Sequence, residues 1–140
     1  MQPEMVESAA KLLAEFPQLI AGFCHCMDLK PGPDLEANLQ DVLRLSRFPN
    51  LYPKVDFIAT GTEQPFPCAG LHQPCLEIIR AYGAERCLWG SCYPNGLWTP
   101  KVSYAEHLRI FSEALPLTEE EQRLILGENA RRIWFPDLRA

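Results

Sequence analysis

The hexapeptide Ala14-Glu-Phe-Pro-Gln-Leu19 recurs in degenerate form as Ser46-Arg-Phe-Pro-Asn-Leu51. In each copy a helix-spaced pattern precedes the Phe-Pro pair and an apolar run follows it. A spacing of roughly 30 residues is that of a β/α unit, and parallel strands need a helical crossover between them. This repeat therefore restricts the chain to an α/β architecture with parallel strands.

The remaining segments fit that frame. Val6, Ala9, Ala10, Leu13 and Phe16 fall at helical spacing over residues 4 to 16, and Pro17 closes that helix. Leu19 to Cys26 is a near-continuous apolar run, suited to a strand covered on both faces. Asp34 is placed to cap a helix with Leu35, Leu39, Val42 and Leu43 on its apolar face. Asn50 to Ala59 reads as the second strand. Leu71, Cys75, Ile78, Ile79 and Tyr82 form the next helical stripe, stopped by Gly83. Glu85 to Cys92 reads as a third strand, which turns at Pro94, Asn95 and Gly96. Ser103-Tyr-Ala-Glu106 and Thr118-Glu-Glu-Glu121 are capping boxes. The first opens a helix with Tyr104, Leu108, Phe111 and Leu115 inward; the second opens one that runs to about Phe135. The order is α-β-α-β-α-β-α-α, and no linker divides residues 1 to 140.

Composition narrows the function classes. A net charge of −5 and a pI near 5.2 leave no basic stripe to replace the counterions of a nucleic acid. No apolar run reaches the length of a membrane span, so the expectation is a soluble, cytoplasmic protein. In that compartment most of the six cysteines are expected to be reduced, and free cysteine packs as a small hydrophobe.

Sites in parallel α/β proteins gather at the C-terminal ends of the strands. The polar residues there are His25, Lys54, Asp56, Ser91 and Cys92. In an extended Cys24-His25-Cys26 the two thiols share one face and His25 projects to the other. Lys54, among apolar neighbours, must reach a polar partner or solvent. Cys92 as a nucleophile would need a base, and none is near in sequence. Cys68, His72 and Cys75 lie close together but lack the C-x2-C spacing of structural zinc, and Cys75 falls on a helix stripe. His107 lies off its helix's apolar stripe and reads as solvated.

Several segments together resemble the amidohydrolase-related family of metal-dependent hydrolases, the amidohydrolase 2 group. They are Phe16-Pro17 with "GFCHC", "PNLYPKVDF", "YGAERCLWGSCYP", "SYAEHLRIFSEALPLTEEE" and "ILGENARRIW". The resemblance implies a (β/α)8 TIM barrel of which this chain supplies roughly the last three strands, their helices and a C-terminal helix. It implies hydrolysis or decarboxylation of small organic acids, lactones or amides. It also implies a divalent metal, zinc foremost, held by histidines and an aspartate, although some relatives work without one. His25 matches a strand-end histidine of a later barrel strand. Cys92 matches the aspartate of Trp-Gly-Ser-Asp, a metal ligand or general base. On this reading His25 and Cys92 are catalytic and metal-binding residues, and Lys54 binds substrate.

Two departures stand out. A thiolate binds zinc, but it substitutes poorly for a proton-shuttling carboxylate. The family's His-x-His pair is absent, and His25, His72 and His107 cannot rebuild the usual ligand set. A barrel of this type takes about 250 residues, and three strands cannot close. The expectation is therefore a C-terminal portion, inactive alone. It would dock with the missing N-terminal half of the barrel or self-associate to cover strand edges. Two alternatives remain open here: a non-catalytic remnant that binds a partner, and a small Cys/His zinc module.

Overall fold

The two Phe-Pro segments lead into the two strands that pair. In the computed structural model, which describes residues 3–94, 96 and 99–137, β1 (Ala21–Phe23) lies parallel to β2 (Leu51–Pro53), with Ala21 opposite Leu51. Helix α1 (Pro3–Glu15) precedes β1, and α2 (Leu35–Arg44) forms the crossover to β2. After β2 come α3 (Phe57–Gly61) and α4 (His72–Tyr82). The chain then passes back beside β2, where Lys54 and Leu88 form a parallel bridge. Helices α5 (Tyr104–Arg109), α6 (Glu119–Arg123) and α7 (Asn129–Trp134) complete the order. No helix among the described residues is long and apolar enough to cross a membrane.

The expected parallel pairing is present, but the strands are shorter than their apolar runs. Leu19 and Ile20, expected to be covered on both faces, are 42% and 49% exposed. The second run leaves the sheet at Asp56 and winds into α3, burying Phe57, Ile58 and Ala59. The third run makes only the single bridge. Its Leu88 exchanges hydrogen bonds with Pro53 and Val55, while the Trp89 N–H donates to the Ile125 carbonyl. The opposite edge of this segment is thus taken by the C-terminal helical region. Pro94 bends as anticipated; Asn95, part of the expected turn, lies outside the described residues.

The helix assignments rest on local rules and hold well. Cys75, Ile78, Ile79 and Tyr82 of α4 are all buried, as are Leu39 and Val42 of α2. Both capping boxes form: the Ser103 Oγ accepts from the Glu106 N–H and the Thr118 Oγ1 from the Glu121 N–H, each at 3.3 Å. Their glutamates return the bond to the Ser103 and Thr118 N–H groups at 2.9 and 2.8 Å. Asp34 stands at the N-cap of α2 but its side chain makes no capping bond. Phe16 falls beyond the end of α1 and is exposed. The helices after α5 and α6 widen into π turns over Ile110–Ala114 and Leu124–Glu128, before α7 ends at Trp134.

Three side chains tie distant segments through backbone carbonyls, which need a partner once buried. The Asn50 amide donates to the carbonyls of Leu13, Phe16 and Leu19, fixing the end of α1 against the start of β2. Arg86 donates to those of Ser46, Phe48 and Tyr82. Asn129 donates to Ala84 and Cys87, which holds the C-terminal helix beneath the segment that leads to Leu88.

The cysteines behave as core residues. Cys26, Cys68, Cys75 and Cys87 are buried, Cys24 is exposed and Cys92 partly so; all six are free thiols. Burial pushes the Cys87 thiol up to about 12 and raises those of Cys26 and Cys75.

Candidate functional site

The site assembles where the first two strands end. β1 stops at Phe23, and Cys24–Cys26 turn at once into a single helical turn instead of extending the strand. His25, Cys26, Met27 and Asp28 have φ of 54°, 43°, 61° and 61°, a left-handed stretch of four non-glycine residues. That conformation costs roughly 1–2 kcal/mol per residue, so the surroundings must hold it. Asp56 supplies the hold: its fully buried carboxylate accepts from the His25 N–H at 2.9 Å through Oδ1.

This turn corrects the expected alternation at 24 to 26. The two thiols do not share a face. Cys26 is buried, with its Sγ donating to the Lys54 carbonyl at 3.3 Å, whereas the exposed Cys24 Sγ lies 3.7 Å from the Lys54 ammonium. A buried carboxylate drawing in a backbone donor outweighs the strand tendency of three residues.

Around Asp56 the strand-end residues converge. The His25 Nδ1 lies 3.2 Å from Asp56 Oδ1. The Lys54 Nζ lies 3.3 Å from Oδ2, and the Cys92 Sγ donates to that same oxygen at 3.6 Å. Cys92 is also 4.0 Å from His25 Nδ1, and the Thr60 Oγ1 is 3.5 Å from it. The structure thus brings His25, Lys54 and Cys92 together around Asp56, a strand-end residue that the sequence singled out without giving it a role. Ser91 stays apart; its Oγ accepts from the Tyr93 N–H.

Electrostatics define what the group can do. Burial pushes the Cys92 thiol up to about 12, helped by the charge of Asp56 that accepts its hydrogen bond. At neutral pH the sulfur is a protonated thiol, a weak nucleophile. His25 is spatially near, which the sequence did not show, yet its Nδ1 faces both Cys92 and Asp56. A base–orienter relay needs opposite ring nitrogens, so this is no Cys-His-Asp triad. Burial alone would lower the Lys54 ammonium's pKa; the Asp56 carboxylate, with Cys24 and Cys92, more than offsets this and raises it.

His25, Asp56 and Cys92 each offer one donor atom, all within 4.8 Å of one another. Imidazole nitrogen, carboxylate oxygen and sulfur form the mixed set that zinc accepts, and three protein ligands leave a coordination position open. Among the described residues no other such group forms. Cys68, His72 and Cys75 do not converge: Cys68 donates to the Gln64 carbonyl, the His72 Nε2 bonds the Pro67 carbonyl, and Cys75 is core.

Gly90 makes the cluster possible. A Cβ there would stand 2.6 Å from Lys54 Cε and 2.7 Å from Asp56 Oδ2. Gly90→Ala is expected to push the ion pair apart and cost about 1–3 kcal/mol, measured as a lower urea midpoint with an unchanged slope.

His107, read as solvated, is fully buried. The buried stripe of its helix is His107, Ile110, Phe111 and Leu115, while Tyr104 faces out. Its ring packs against Trp89 and Phe111 at centroid distances of 5.5 and 5.8 Å. Burial lowers its pKa to about 4 against the opposing charge of Asp56.

A parallel α/β frame thus carries one cluster of metal-capable donor atoms at its strand ends. The chain belongs to the amidohydrolase family, whose model matches residues 1–135. It is similar to a crystal structure of an amidohydrolase from Burkholderia multivorans with bound HEPES. That match has a TM-score of 0.76 at 17% identity, covering 92% of this chain and 49% of the other. A second structure of an amidohydrolase from the same organism, with bound zinc, gives 0.75 at 18%, covering 92% and 48%. The chain therefore spans about half the length of the solved chains it matches, and at such identity the likeness shows the fold. Comparison with curated proteins gave no match.

Proposed function

We propose that this chain is the C-terminal part of a metal-dependent hydrolase acting on a small organic acid, lactone or amide. It contributes roughly the last three strands of a (β/α)8 barrel. His25, Asp56 and Cys92 hold a divalent ion, zinc foremost. The observation that carries this reading is the convergence of three different donor atoms at the strand ends of an amidohydrolase-family chain.

Such an ion supplies Lewis acidity for hydrolysis. The protein's own residues supply the rest. Asp56 provides the carboxylate that position 92 lacks, and the His25 N–H fixes it in place. Both of its oxygens are engaged by protein groups, so its part here is that of a ligand. Cys92 is a ligand here and not a base, since its proton is held tightly until a metal replaces it. Lys54 is placed to meet a substrate oxygen.

The chain on its own is inactive in this proposal. The likeness to about half of a longer fold supports a requirement for the N-terminal half of the barrel, which would close the sheet and complete the pocket. The exposed Phe16, Leu19 and Ile20 beside β1 suit such a contact.

Isothermal titration of the purified chain with zinc is the test. One ion per chain is expected, with binding weakened at least about 100-fold in Cys92→Ala and in His25→Ala. Equal affinity in the parent and both variants would end the assignment. Lactone or amide hydrolysis is expected only after an N-terminal barrel half is added.

A further inference from the structure

Resting on the reading that His25, Asp56 and Cys92 take a divalent ion, we propose that Lys54 competes with that ion for Asp56. Its ammonium is a built-in counter-cation that a metal must displace.

The argument begins with the two oxygens of one buried carboxylate. Oδ1 is committed to His25, through the backbone N–H at 2.9 Å and Nδ1 at 3.2 Å. Oδ2 is shared by the Lys54 ammonium at 3.3 Å and the Cys92 thiol at 3.6 Å. An ion held by Cys92 and Asp56 would compete for the space around Oδ2 that Lys54 fills. Gly90 preserves that space, since a side chain there would strike both Lys54 and Asp56.

Charge balance points the same way. Lys54 and Asp56 form an ion pair whose charges cancel. With zinc bound to a thiolate and a carboxylate, the two negative ligands already balance the ion, and the ammonium becomes a surplus positive charge. A unit charge a few ångströms from a divalent ion is repelled even at high dielectric. Lys54 has somewhere to go. Its Nζ is 3.7 Å from Cys24, and a cavity of about 410 Å³ lies beside both, lined also by Gly22, Leu88 and Trp134. Lys54 therefore sets metal affinity and places a cation in that cavity when the metal arrives.

The test compares Lys54→Met, Lys54→Gln and Lys54→Arg with the parent chain in competition against a chromophoric zinc chelator. Far-ultraviolet circular dichroism confirms that each is folded. Both neutral variants are expected to bind zinc about tenfold more tightly than the parent, and Lys54→Arg no more tightly. Titration with cobalt(II) should show the sulfur-to-metal charge-transfer band at lower metal concentration in Lys54→Met. Zinc affinity that is unchanged or weaker in both neutral variants overturns the competition. If zinc binds and Cys92→Ala abolishes it, while Lys54→Met makes no difference, only this proposal fails. If neither the parent nor Lys54→Met takes up zinc, the metal assignment fails and this proposal with it.

Discussion

Asp56→Ala is expected to lower stability by about 3 kcal/mol and to abolish zinc uptake. The carboxylate is fully buried and receives four contacts: the His25 N–H and ring, the Lys54 ammonium and the Cys92 thiol. Removing one partner of a fully buried ion pair costs about 3–5 kcal/mol because the other charge is left uncompensated. Lys54 is one-third exposed and can turn toward water, which discounts its share. The orphaned His25 N–H adds about 1–3 kcal/mol. Without its anchor, the left-handed stretch from His25 to Asp28 loses what holds it. Asp56→Asn separates the causes: the amide oxygen still accepts from the His25 N–H, so stability falls less while zinc uptake is still lost. Urea denaturation with zinc titration reads both. Retention of full zinc affinity by Asp56→Asn would remove Asp56 from the ligand set.

The second large effect is a loss of stability in mild acid that is traceable to His107. Its pKa is about 4 in the folded chain against 6.5 in the unfolded one, because burial disfavours the imidazolium. Above pH 6.5 both states are neutral and the difference contributes nothing. As the pH falls toward 4 the unfolded chain takes up the proton and the native one does not, so the native state loses ground. At about 1.4 kcal/mol per pH unit the loss reaches about 3 kcal/mol near pH 4 and then levels off. Neither ring nitrogen has a hydrogen-bond partner among the described residues. His107→Phe is therefore expected to be no less stable at pH 7.5 and to show less of the decline below pH 6.5. Urea unfolding of parent and variant at a series of pH values gives the difference curve. Parallel curves would mean that His107 does not titrate between the two states.

How far the sequence carried the reading depends on the range of the rule applied. The stripe of α4 from Cys75 to Tyr82 and the two capping boxes were legible because each depends on neighbours three or four residues away. The parallel pairing of β1 with β2 followed from the Phe-Pro repeat. Strand ends failed, since β1 stops in a turn at Cys24–Cys26 that the distant Asp56 side chain holds. The stripe around His107 was displaced because its imidazole counts as polar, while in this core it packs as an aromatic between Trp89 and Phe111.

By itself, then, the sequence determined the helices other than α3, the parallel pairing of the first two strands, and the presence of a histidine, a lysine, an aspartate and a cysteine near strand ends. Tertiary structure alone decided that Asp56 is their common partner and that Cys92 keeps its proton. The reason is distance along the chain. Asp56 meets His25 across 31 residues and Cys92 across 36, and Cys92 meets His25 across 67. Such meetings depend on how the strands are laid side by side, which no local pattern of residue types encodes.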